Sequence, residues 1–174
     1  MNFEKLYAEL EINAGTIRAL VNGITQEEAQ VKPTPEAWSI LEVICHLYDE
    51  EIKDFRPRLD VILHRPTEEF APNDSQESLT ERNYNEQDLA VMLGKFLEER
   101  EKSLEWLREL GAGANWDVSY TTPWRTMTSG DMFASWVSHD TYHMRQLVEL
   151  RHARIDQLSA PYKTEYAGDW SGGT

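Results

Sequence analysis

The chain has 174 residues, 40% hydrophobic and 28% charged, enough for one domain with a sizeable core. Its 17 Lys and Arg against 31 Asp and Glu leave a net charge of −14, which repels phosphate backbones and anionic lipid and argues against nucleic-acid and membrane partners. No apolar run reaches the roughly 18–20 residues of a membrane span, the N-terminus MNFEKLYAELEINAG does not read as a secretory signal, and the single cysteine, Cys45, excludes an intramolecular disulfide; a reducing cytoplasm is expected.

The first helical pattern covers about residues 3–22, with Phe3, Leu6, Tyr7, Leu10, Ala14, Ile17, Leu20 and Val21 as its apolar stripe. Thr25, Glu27 and Glu28 then suggest a short helical turn that Pro33 and Pro35 stop. A second helix is predicted over about 39–63. Ser39 and Glu42 have capping-box spacing, and Ile40, Leu41, Ile44, Leu47, Tyr48, Ile52 and Phe55 follow at intervals of three and four. Pro57 is positioned to kink this helix. The acidic run Asp49, Glu50, Glu51 reads as a solvated face, and Cys45 reads as core.

Residues 64–84 are polar, contain Pro66 and Pro72, and form a long connection that crosses the bundle or carries function. The third helix is predicted over about 85–110, capped by Asn85 and ended by Gly111 and Gly113. Its stripe contains Arg100, which must find a carboxylate or carbonyl partner. Residues 112–127 make a loop rich in aromatics, among them Trp116, Tyr120 and Trp124. The fourth helix is expected over about 130–153, followed by an aromatic tail with Tyr162, Tyr166 and Trp170 and a fraying SGGT end. No strand stands out. Four amphipathic helices of this length imply an all-α four-helix bundle over residues 1–155, with 156–174 as the tail.

The chemistry concentrates on the fourth helix. His139 and His143 are four apart, so they lie one above the other and can share a metal ion. Asp140 falls mid-arc among apolar residues and must be paired, neutral or placed behind something charged. Core imidazoles with ordinary hydrogen bonds remain the alternative for both histidines. His46 falls beyond the edge of its helix's apolar arc, beside Glu50, where it lines an open groove or is simply solvated. His152 points to the opposite face, and Arg145 projects away from His143. Trp124 and Trp136 are candidate substrate platforms, with ordinary packing as the other reading.

The run from Trp38 through Cys45-His46-Leu47-Tyr48-Asp49, then Phe96 to Arg100 and Leu104, then His139-Asp140-Thr141-Tyr142-His143-Met144-Arg145-Gln146-Leu147 resembles the DinB-like superfamily. The likeness is to the branch with bacillithiol S-transferases and relatives of mycothiol-dependent maleylpyruvate isomerase, and it covers most of the chain. The resemblance implies a four-helix bundle of unusual helix order with a long crossover between helices two and three. It implies a divalent metal, often nickel or zinc in that family, held by His46, His139 and His143 and completed by water. His64 has no counterpart.

Three neutral imidazoles plus water would match an open catalytic site rather than a closed structural one. The expected function is therefore metal-dependent transfer of a low-molecular-weight thiol to an electrophilic small molecule. A metal-dependent hydrolase and a non-enzymatic metal- or ligand-binding stress-response module are the alternatives. Asp140 and Glu50 are the candidates for a supporting role behind the ligands, and a homodimer is expected from the surplus of aromatics.

Overall fold

Helix starts in this chain are set by side chains that take up the orphan N–H groups of the first turn. The structure is a computed structural model that describes residues 1–71 and 83–170. The middle of the expected crossover, 72–82, and the SGGT end expected to fray lie outside the described residues. Asn2 caps α1 (Phe3–Val21), accepting from the Lys5 N–H. The chain turns at Gly23, whose φ of 78° suits a residue without Cβ. A Thr25–Glu28 capping box then starts α2 (Gln26–Ala29). The Ser39–Glu42 capping box read from sequence is formed and opens α3 (Ile40–Asp49).

Nine of the ten residues of α3 are buried, so this helix is enclosed on nearly every side. It runs into a π-helical turn at Glu50–Asp54 and continues as α4 (Phe55–His64). The sequence places the irregularity at Pro57; the structure places it one turn earlier. Proline lacks an N–H and its ring crowds the carbonyl four residues back, so the preceding turn widens. There the Phe55 N–H bonds to the Glu50 carbonyl. After a 3₁₀ turn at Tyr84–Glu86, α5 (Leu89–Leu110) begins with Asp88 as its cap. Asn85 is not the cap expected of it. It accepts from the Ser39 hydroxyl at 2.6 Å and donates to the Gln30 carbonyl, tying the starts of two helices to the end of α2.

The aromatic loop holds a short antiparallel hairpin that the sequence pattern does not reveal. β1 (Ser119–Thr121) pairs with β2 (Thr126–Thr128), with Tyr120 opposite Met127. Three-residue strands are too short for alternation to register. Tyr120 stacks on Phe70 at 4.1 Å, and its hydroxyl bonds the backbone of Glu68 and Phe70, so the hairpin pins the described start of the crossover. Thr128 and Asp131 then cap α6 (Ser129–Ser159), which runs six residues beyond the expected end near 153.

The four-helix bundle consists of α1, the α3–α4 pair, α5 and α6, with α1 against α5 and α6, and α3 against α5 and α6. The core falls into two apolar clusters. One contains Ile17, Ile44, Leu47, Phe96 and Leu147; the other contains Leu10, Leu59, Leu104, Phe133 and Trp136. Every residue of the expected stripes of the first and second helices is buried or half-buried. Ser39→Ala should destabilise the fold by about 1–2 kcal/mol, read as a lower urea midpoint at unchanged m-value, because it removes both the α3 cap and the tie to Asn85.

Candidate metal centre

His46 comes from α3, and His139 with His143 from α6, and the three imidazoles converge. His139 Nε2 lies 3.3 Å from His46 Nε2 and 3.1 Å from His143 Nε2. Two nitrogens bound to one ion at 2.0–2.1 Å, at a tetrahedral angle, stand about 3.3–3.4 Å apart. The two separations at His139 suit a shared divalent ion, and the ligand atoms of all three histidines lie within 4.8 Å of one another.

At His143 the lone pair points toward the other two rings. His143 Nδ1 is 2.8 Å from the Gln146 amide oxygen, which can only accept, so Nδ1 carries the proton and Nε2 is left as a base. His46 Nδ1 faces the Glu50 carboxyl at 3.7 Å. Burial pushes the His46 pKa down to about 3, with His143 adding to the effect. Burial likewise pushes His139 to about 2, reinforced by His143, His46 and Arg100. Burial also lowers His143, while Gln146 and Asp140 pull the other way. All three are neutral imidazoles at pH 7, the form that binds metal.

His46 is 8% exposed, so the sequence expectation of an arc-edge, groove or solvated residue understates its burial. The wheel assumes one buried face, whereas α3 is apolar nearly all round. The acidic run is not a solvated face either: Asp49 and Glu51 are buried, and Glu50 is nearly so on its side chain. The π turn carries Glu50 and Glu51 inward. Burial pushes the Glu50 carboxyl up to about 8, helped by Asp54 and opposed by Arg58.

Asp140 is completely buried and paired, as its position requires, but its partner is Arg100 rather than a histidine. Arg100 finds both kinds of partner expected of it, the carboxylates of Glu51 and Asp140 and the carbonyl of Leu10. Burial alone would lower the Arg100 pKa, but the two carboxylates outweigh it and hold it above the ordinary value.

Trp136 is 1% exposed, stacks on Phe55 and donates to Glu51, so it packs and offers no face to a substrate. Trp124 is 85% exposed at the hairpin turn. His64 bonds Asp60 on the surface, away from the cluster. His152 is half-buried rather than open to solvent, because Trp170 of the tail stacks on it at 4.2 Å. Arg145 pairs with Glu149 on the exposed side of α6.

Sequence reasoning assigned no role to Trp38, Phe55 or Gln146. Trp38 meets His46 edge-on at 5.0 Å and stacks over His143 at 6.0 Å, while Phe55 meets His139 edge-on at 5.0 Å. Gln146 stands three after His143, a helical spacing that could have been read. On the solvent side, a depression opens on His139, with Phe55, Tyr142, Ser138, Arg125 and Asp131 on its walls. Among the described residues, no ion pair forms at the Arg125 guanidinium.

A profile of the DinB superfamily matches residues 9–147. The solved structure of YfiT from Bacillus subtilis superposes with a TM-score of 0.76, covering 88% of this chain and 87% of its own, at 19% identity. YfiT is described as a probable metal-dependent hydrolase with an unusual four-helix bundle topology, and at this identity the likeness speaks for the fold. No curated protein matches the chain.

Cys45 is fully buried, as expected of core. Burial, with Asp49 and Glu42 adding, pushes its thiol up to about 12. At about pH 8 its thiolate fraction is then about one part in ten thousand. Iodoacetamide should leave Cys45 unlabelled in the folded protein and label it fully in guanidinium, as read by intact-mass spectrometry.

Proposed function

The chain belongs to the DinB superfamily, and we propose that it is a divalent-metal enzyme in which His46, His139 and His143 hold nickel or zinc and a low-molecular-weight thiol is transferred to an electrophilic small molecule. The observation that carries this reading is the convergence of three neutral imidazoles, with His139 Nε2 within 3.3 Å of the other two rings' Nε2 atoms and His139 itself reached by an open depression. A bound divalent ion lowers the pKa of a coordinated thiol or water toward 7. The side chains do the rest. Gln146 fixes the His143 tautomer, and Glu50 orients His46. Trp38 and Phe55 exclude water from the buried sides of the cluster. Arg125, on the rim, supplies a cation for an anionic group of the thiol or its acceptor.

Hydrolysis by an activated water is the second reading, favoured by Glu50. A carboxyl beside His46 with a pKa of about 8 can take up and return a proton near neutral pH. YfiT's description points the same way. A binding module without turnover would retain the metal and consume neither thiol nor ester.

Protein purified without a histidine tag should contain one divalent ion per chain by elemental analysis. Alanine at His46, His139 or His143 should abolish tight binding, and His152→Ala should not. Thiol consumption should require the ion and survive Cys45→Ser; loss of activity in Cys45→Ser with metal-independent turnover would overturn the mechanism.

The depressed imidazole pKa values fix a pH dependence. Protons compete for three ordinary imidazoles strongly enough to weaken metal binding about fifty-fold between about pH 7.5 and about pH 6. Here the loss should stay below about fivefold, measured against a chromophoric chelator, because His46 and His139 remain neutral throughout that range and burial also lowers His143.

The cytoplasm is the proposed location, and a homodimer the proposed assembly. The hairpin loop 112–127 and the tail 156–174 would supply its surface, since Trp124, Tyr162 and Tyr166 are at least 82% exposed. Light scattering at tens of micromolar should give twice the chain mass; a monomer would overturn the assembly.

A further inference from the structure

Buried guanidinium–carboxylate clusters are seldom required for stability, because apolar side chains of similar volume often do as well. A fully enclosed one therefore calls for another reason. Arg100 is 1% exposed, and all five of its N–H groups are used. Nε and Nη2 donate to Glu51 Oε1 at 2.9 and 2.7 Å. Nη1 and Nη2 donate to the two Asp140 oxygens at 2.7 and 2.9 Å, and Nη1 also donates to the Leu10 carbonyl at 3.0 Å. The carboxylates are locked in turn: Trp136 donates to Glu51 Oε1, and Ser103 donates to Glu51 Oε2 at 2.6 Å.

The two carboxylates stand at telling positions. Glu51 lies one turn after His46, on the π-helical stretch that continues its helix. Asp140 lies between His139 and His143 on α6. Arg100 thus grips the two ligand-bearing segments at the level of the histidines, from a third helix, and ties them to α1 as well.

We propose that Arg100 is the positioning residue of the three-histidine site: by bridging Glu51 and Asp140 it fixes the distance of His46 from His139 and His143. This rests on the reading of the histidines as a metal site. A chelate tolerates displacements of only a few tenths of an ångström, and apolar packing, dense as it is, supplies no directional restraint on how the two segments face each other. A planar fork with five fixed donors does. Lysine at position 100 keeps the charge but has three donors on a flexible stem and cannot make both bidentate contacts.

The test is Arg100→Lys, with cobalt(II) as the probe. Cobalt affinity should fall about 10–100-fold, the range usual for partners behind metal ligands, and the visible d–d bands should shift, with far-UV circular dichroism unchanged. Leu107→Ala, on the same helix within the second apolar cluster, is the control for lost stability. It should lower the melting temperature while leaving affinity and band positions alone. Equal affinity and spectrum in Arg100→Lys and the parent would overturn the proposal, as would a matching spectral change in Leu107→Ala. If Arg100→Lys does not fold, Asp140→Asn releases only the α6 arm and is held to the same two outcomes. A charge effect alone would weaken binding without moving the bands, and would also overturn it. If the parent protein binds no cobalt, the metal reading fails, and a metal-free measurement decides the positioning. A nuclear Overhauser contact between the His46 and His139 rings should be present in the parent and lost in Arg100→Lys; its persistence would overturn the proposal.

Discussion

The guanidinium of Arg100 meets two carboxylates and a main-chain carbonyl in a layer that divides the core. Along α5 it sits between Phe96, in one apolar cluster, and Leu104, in the other. Glu51 stands likewise between Leu47 and Phe55, Asp140 between Val137 and Leu147, and the Leu10 carbonyl begins the turn that leads toward Ile17. Each helix of the bundle therefore crosses from one cluster to the other through the same polar level. An apolar core alone would tolerate helices sliding or rotating past one another. A hydrogen-bonded layer with every donor satisfied tolerates one register. The histidines sit at that register, which makes their convergence a consequence of the layer.

That arrangement depends on a local defect. A regular helix through Pro57 would carry the acidic run at 49–51 past the core on a 3.6-residue period. Asp49, at the end of α3, turns toward Tyr84 and Lys53, and the wide turn at Glu50–Asp54 directs Glu50 to the face of His46 and Glu51 to Arg100. Asp49 is further pinned by the Tyr84 hydroxyl, so the chain entering α5 also closes on this turn. The turn before Pro57 thereby carries two carboxyl groups, Glu50 and Glu51, toward the interior.

The legible parts of the sequence were those governed by one element at a time. The caps at Thr25 and Ser39, the four-residue spacing of His139 and His143, the buried Cys45 and the need of Arg100 for a partner all follow from local rules. His46 was legible only through family resemblance, because α3 is enclosed on nearly all faces and a wheel has no edge to report. The inward turn of the acidic run depends on a π turn that no periodicity announces. Asp88 displaced Asn85 as a cap because Asn85 was already committed to Ser39 and Gln30, partners far off in sequence. The identity of Arg100's partners and the place of Trp38 over two imidazoles are likewise tertiary facts.

The charge around the cluster is graded from inside to outside. Three neutral imidazoles contribute no negative charge, so an ion held by them keeps its full positive charge in the first layer. Behind it, two carboxyl groups share one guanidinium, which leaves the interior side net negative; Glu50 adds a group that a nearby cation would favour in its ionised form. On the solvent side stands Arg125, with Asp131 in the same depression, in a chain whose other charges sum strongly negative. An ion held by the three rings would be favoured by negative charge it does not touch, and the depression that reaches His139 carries one residue of each sign, Arg125 and Asp131. A metal bound by neutral imidazoles alone would keep a Lewis acidity that anionic ligands would blunt.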